Sequence, residues 1–157
     1  MRALYASHNQ ILYHAHVQSL DDIAELTRGG PRIDALTSSD TNILFWFNTG
    51  DYRGPHQAEA NRRATELLLT VTRFNGRDVP LLRGDIVLTG RDALGHPTDL
   101  DAHQIDLLTH AGMRWLNDIM LSRRLTHDRR RQMGQLKRAQ KAHLAALISH
   151  AQPHRFR

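Results

Sequence analysis

At 157 residues, with 40% hydrophobic and 24% charged side chains, the chain has room for one domain with a real core and is too apolar for wholesale disorder. It contains no cysteine, which excludes disulfides, thiol nucleophiles, iron–sulfur clusters and cysteine zinc sites and fits a reducing compartment. The net charge of +5 is uneven: residues 1–100 hold 10 Lys/Arg against 12 Asp/Glu, and residues 101–157 hold 11 against 4, the mark of an appendage with an acidic or polyanionic partner.

Met1 to His8 carries no apolar h-region, so no signal peptide is read and the cytoplasm is the expected location. Ile11 to Val17 mixes apolar and β-favouring residues and predicts a strand. Ser19 followed by Asp22 is a capping-box start for a short helix lined by Ile23, Ala24 and Leu26, which Gly29-Gly30-Pro31 stops. Ile33–Leu36 and Asn42–Phe47 predict two more strands, the second heavily apolar and central. Ser38-Ser39-Asp40 reads as a turn, as does Asn48-Thr49-Gly50-Asp51, and Tyr52 to Pro55 continues the second as a loop. From Gln57 to Val71, apolar Ala60, Ala64, Leu67, Leu68 and Val71 recur at helical spacing. Ile86-Val87-Leu88 between Gly84 and Gly90 predicts a buried strand, and Asp92 to Pro97 a turn-rich loop. The longest apolar runs, such as Ile43–Phe47, are too short to span a bilayer, so no membrane role is expected.

The pattern changes after Asp99. Ile105, Leu108, Gly112, Trp115 and Ile119 form one helical stripe over His103–Leu121. Met133, Leu136, Gln140, Leu144, Leu147 and Ile148 form a second over Thr126–His150. Ser122–Thr126 between them serves equally as the turn of a hairpin or as the middle of one long helix, and Gln152–Arg157 reads as a frayed end. The fold class expected is α/β (α+β): a small mixed sheet in the order β-α-β-β-α-β, with helices on one face, over residues 1–99. A basic helical extension of two helices occupies residues 100–157.

Several pieces occur in a familiar order: Leu20–Leu26, Gly29-Gly30, Ile33–Leu36, Leu44–Asp51, Asn61 with Ala64-Thr65, and Leu82–Gly90. In this order, over residues 11–99, the chain resembles the phage- and plasmid-borne domain of unknown function 3846 family, leaving the basic C-terminal third outside the match. Arg28 before the glycine pair and Pro31-Arg32 after it depart from the more apolar pattern expected there. The family brings no activity with it. The resemblance implies a setting: a small accessory protein of a mobile element, a binder or regulator of a host process or defence system.

Candidate chemistry is sparse. His14 and His16 share one face of a strand without an identifiable third ligand, and His103/His110 and His143/His150 fall two helical turns apart, as on solvated faces. No metal or cofactor is therefore expected. Asp99 and Asp101 suit a helix cap, and no spacing singles out a carboxylate partner for Asp51. With no nucleophile elbow, P-loop or dinucleotide fingerprint, no catalytic residue is assigned and a non-enzymatic protein is expected, a small hydrolase being the enzyme-class alternative.

The sharpest feature is the cluster Arg123, Arg124, Arg129, Arg130, Arg131, Lys137, Arg138 and Lys141. On a helix Arg130, Lys137 and Lys141 share one flank and Arg131 and Arg138 the next, an arrangement able to follow a phosphate backbone. Nucleic acid is thus one candidate partner; the others are a host protein or a small anionic ligand near the turn-borne Arg53, Arg83 and Arg91. Leu108, Trp115 and Ile119 form a candidate seam for a homo-oligomer through the C-terminal helices.

Overall fold

The structure, a computed structural model, describes residues 1–38, 40–50, 55–110, 112 and 114–150, with backbone alone for Pro55 and residues 147–150. The expectations for Ser39, Asp51, the Tyr52–Gly54 loop with Arg53, and the end beyond residue 150 lie outside the described residues.

The chain runs through β1 (Arg2–Ala6), β2 (Leu12–His16), α1 (Leu20–Leu26), β3 (Ile33–Ser38), β4 (Ile43–Asn48) and α2 (Pro55–Ala58). It continues through α3 (Arg62–Val71), β5 (Ile86–Arg91), β6 (Pro97–Thr98), α4 (Ala102–His110) and α5 (Trp115–His150). The sheet order is β2-β1-β5-β4-β3, with β6 added to the end of β5. The class is α+β, as expected, but every pairing is antiparallel, so the sheet is not mixed. Two hairpins, β1–β2 and β3–β4, flank β5, which makes β5 rather than the more apolar β4 the central strand.

Strand β1 is absent from the expected order because Arg-Ala-Leu-Tyr-Ala lacks β-branched residues. Its pairing on both sides decides the conformation, with Tyr5 opposite Tyr13 on one neighbour and Val87 on the other. Alternation then sends Leu4 and Ala6 to one face of the sheet and Ala3 and Tyr5 to the other.

Both faces are covered, not one. Helix α1 lays Ile23 and Leu26 against Ala3, Val87 and Trp46. The opposite face, built from Leu4, Ala6, Ile43, Phe45, Ile86 and Leu88, packs under Leu67 and Leu68 of α3, Leu108 of α4 and Leu121 of α5. The border expected at residues 99/100 therefore runs through the core: Leu100, Leu108 and Leu121 are all fully buried in it. Leu108, expected at a surface seam, is 1% exposed and belongs to this core.

The capping pattern of α1 is present, with Ser19 Oγ accepting from Asp22 N at 3.2 Å. The helix expected over 57–71 is instead two, α2 and α3, because Asn61 adopts extended backbone and caps α3. Ala60 consequently bridges to Arg83 instead of facing the core from a helix. Two C-terminal helices do form, but the break lies between His110 and Trp115, and Ser122–Thr126 is continuous helix within α5. At 1.5 Å per residue α5 is about 54 Å long. No helix among the described residues is long and apolar enough to cross a membrane.

The core ends part-way along α5, which gives a direct check. Leu121→Ala should cost about 3 kcal/mol, whereas Leu136→Ala, at an exposed site, should change stability by less than about 0.5 kcal/mol. Chemical denaturation of both variants measures the contrast.

Candidate functional site

Two features stand apart from the apolar core, and the first depends on how α5 docks. Its first turns are bolted to the body. Gly76 sits so close to α5 that an added Cβ would lie 2.7 Å from Asn117 O. Gly76 N donates to Asn117 Oδ1 (3.1 Å), and Arg124 Nη1 donates to the Gly76 and Val79 carbonyls (3.2 and 2.7 Å). Arg62 of α3 joins Asp118 at 2.5 Å and Glu66 at 2.7 Å. Arg83 makes a bidentate pair with Asp128 (2.7 and 3.0 Å) and also donates to Ala58 O at 2.7 Å. Gln132 Nε2 reaches the same Ala58 carbonyl at 2.7 Å. Among the described residues this is the last side chain of α5 to hydrogen-bond to the body.

Beyond it the helix projects. Every side chain from Gln135 to Ala146 is exposed, and no acidic residue follows Asp128. Of the eight cations in the basic cluster, Arg124 is spent on holding α5 in place. Arg123, Arg129, Arg130, Arg131, Lys137, Arg138 and Lys141 are exposed. Arg130, Lys137 and Lys141 with Arg131 and Arg138 fall on adjoining flanks, so five cations make one stripe that begins beside the last tie to the body and runs along the projecting helix. Met133, Leu136 and Leu144 are exposed beside it.

The second feature is a buried carboxylate that the sequence patterns do not single out. Asp85, 0% exposed at the start of β5, gathers donors from four parts of the chain. His8 gives it a main-chain N–H (2.8 Å) and its ring Nδ1 (3.0 Å), both to Oδ1. Gln57 Nε2 (3.1 Å) and Arg28 Nε (3.3 Å) approach Oδ2, and the Tyr5 phenol lies close enough to influence the same group. Burial pushes the Asp85 pKa up, but the bonds from His8 and the nearby Tyr5 phenol outweigh it and hold the carboxyl below its ordinary value. Burial and the nearby Asp85 charge push the Tyr5 phenol up. Gln57 Oε1, facing Gly84, is buried without a hydrogen-bond partner among the described residues. The His56 ring lies against His8, with centroids 4.8 Å apart.

Local structure aims these groups. Asn61 Nδ2 donates to the carbonyls of Ala6 (2.9 Å), Ser7 (3.1 Å) and Gly84 (2.8 Å), while its Oδ1 accepts from Ala64 N (2.9 Å). One buried carboxamide thus fixes the end of β1 before His8, the turn before Asp85 and the start of α3. Arg28 closes α1 in a Schellman arrangement, with Arg28 N to Glu25 O and Gly29 N to Ala24 O. It occupies the left-handed position itself (φ 53°), where glycine is the usual residue and an arginine is strained.

The remaining expected sites are placed as follows. Trp115, 69% exposed, and Ile119 lie on the surface of α5, while Leu108 does not join them. Arg83 is a structural clamp, and Arg91 is half-buried at the end of β5. His14 and His16 stand exposed on edge strand β2, and no group of three or more His, Cys, Asp or Glu able to hold a metal occurs among the described residues. His103, His110 and His143 are exposed, with His110 paired to Asp106 at 3.0 Å. Asp101 caps α4 by accepting from Gln104 N at 2.7 Å, and Asp99 accepts from Arg2 N at 2.6 Å. No protein family, curated protein or solved structure matches the chain.

Two consequences can be measured. Asn61→Ala removes a cap and a donor shared by three carbonyls, and should destabilise the fold by about 3 kcal/mol in denaturant titration. Since folding lowers the Asp85 pKa, the unfolded chain takes up that proton first on acidification. The stabilisation is therefore full above the ordinary value of 3.8 and is lost as the pH falls through the lower folded value. Asp85→Asn should cost about 3 kcal/mol at pH 7 and flatten the fall in stability below 3.8, as read from thermal melts across pH.

Proposed function

We propose that the protein binds nucleic acid along the projecting half of α5. The observation that carries this reading is the stripe Arg130, Arg131, Lys137, Arg138 and Lys141 on an exposed helix with no acid after Asp128. An isolated helix of the length of Met133–His150 is marginal in water, and the like charges Lys137 and Lys141, four residues apart, weaken it further. A polyanion removes that repulsion, whereas a second copy of the same helix doubles it. Counterion release from the nucleic acid supplies the driving force.

A phage or mobile-element accessory acting on a host process or defence system is part of the same proposal and rests on the resemblance of residues 11–99. Its small-anion version is weakened, because Arg83 is committed to Asp128. The exposed Met133, Leu136 and Leu144 beside the stripe favour an acidic protein surface as the other occupant.

Fluorescence anisotropy with mixed-sequence DNA and RNA separates the two. If five cations meet phosphates, log K should fall against log salt with a slope of about −4, so that a fourfold rise in salt weakens binding by roughly two orders of magnitude. Changing all five cations to Gln in the full chain should abolish the salt-dependent binding while leaving the melting transition of the body in place. Absence of binding at low salt, or an unchanged slope in the Gln variant, would remove nucleic acid and leave the acidic protein partner.

A further inference from the structure

The Asp85 cluster lies next to the root of the projecting helix. Helix α2, which carries His56, offers its Ala58 carbonyl to both Arg83 and Gln132, where α5 leaves the body. The stripe lies on the side of α5 away from Ala58, so a strand held there reaches His56 and His8 by passing round the root of the helix.

The chemistry of that neighbourhood is defined by a tautomer. Asp85 is buried and supplied with donors by His8 N and Gln57, so its carboxylate accepts. The His8 Nδ1 at 3.0 Å must then carry a proton, and in the neutral ring the lone pair sits on Nε2. The two bonds from His8 to one carboxylate oxygen, one from the main chain and one from the ring, lock the imidazole in place. The ring itself is 26% exposed, so a substrate can reach it. This is the orienting role of a buried aspartate toward a general-base histidine. Beside it stand a second, exposed histidine, His56, and Arg28, whose side chain is 61% exposed although its Nε faces Asp85. No serine, threonine or cysteine bonds to the His8 ring among the described residues, so the ring is free to act on a hydroxyl that the substrate itself carries. A polyanionic strand that brings its own nucleophile is RNA.

We propose that His8, oriented by Asp85, is the general base of a ribonucleolytic site with His56 as the general acid. His8 Nε2 takes the proton of a ribose 2′-hydroxyl. The 2′-oxygen attacks the adjacent phosphorus, forming a new P–O bond, and the P–O5′ bond breaks. Protonated His56 gives its proton to the departing 5′-oxygen, and Arg28 faces the charge that develops on the phosphoryl oxygens. The products are a 2′,3′-cyclic phosphate and a 5′-hydroxyl, and no water, oxidant or further reactant is consumed. Tyr5 and Gln57 are positioning residues, acting through Asp85. This departs from the non-enzymatic expectation, because Asp85 and His8 lie 77 residues apart and meet only in the folded chain.

The site rests on the nucleic-acid reading of α5 for its substrate class, so binding and cleavage are measured separately. The full chain is incubated with a fluorogenic DNA oligonucleotide containing one ribonucleotide, with an all-deoxy version as control. A 2′-O-methyl version of the same oligonucleotide, which cannot be cleaved by this route, reports binding alone. The expected result is cleavage at the ribonucleotide only, with a cyclic phosphate seen by mass spectrometry. His8→Asn and His56→Asn, purified identically and shown to melt cooperatively, should each lose about 100-fold or more. His56 is exposed, so its variant tests the site even if His8→Asn unfolds the cluster. Cleavage equal in the parent and both variants would assign the activity to a contaminant and overturn the proposal. Binding of the 2′-O-methyl oligonucleotide without cleavage of the ribonucleotide would overturn it too and leave the α5 reading standing, whereas absence of binding would remove both.

Discussion

A single carboxamide sets the geometry on which the rest of this molecule depends. Asn61 is 1% exposed and satisfies three carbonyls and one amide from segments that are distant in sequence. Buried main-chain groups need partners, and no regular ladder could provide them where β1 ends, β5 begins and α3 starts. Because that junction is fixed, His8 emerges from β1 and Asp85 enters β5 at hydrogen-bonding distance. The polar cluster follows from a backbone problem solved with one side chain.

Much of the fold was legible in the sequence because it was written in local signals. Ser19 with Asp22, the stop after Leu26, and the glycine-bounded run Ile86–Val87–Leu88 each encode an element without help from elsewhere. The failures have a common cause, which is tertiary context. The Arg2–Ala6 strand has no strand-like composition and is held by two neighbours. The break at Asn61 interrupts a pattern that is helical by periodicity, because a cap that binds three distant carbonyls outweighs one uninterrupted helical turn. The pattern alone leaves the continuity through Ser122–Thr126 open, and the ties of Arg124 and Asp128 to the body settle it.

The candidate sites divide along the same line. The cations of α5 are contiguous in sequence, so their stripe could be drawn from helical spacing alone; only the loss of Arg124 and Arg83 to structural duty required the fold. The Asp85 cluster draws on Tyr5, His8, Arg28, His56 and Gln57, and no spacing rule connects them. One signal was within reach. An arginine in place of the glycine or apolar residue expected after α1 stands out, and the structure shows that residue strained and turned toward the buried carboxylate.

The position at which the core closes along α5 has an evolutionary side. Leu121 and Leu125 complete the apolar interior, and Gln132 makes the last side-chain bond to the body among the described residues. A gene that stopped or recombined shortly after that codon would still encode every buried side chain among the described residues. The projecting segment can therefore drift, lengthen or be exchanged without passing through an unfolded intermediate sequence. Selection can retune its charge and reach independently, while the α+β body remains under the stricter constraint of packing.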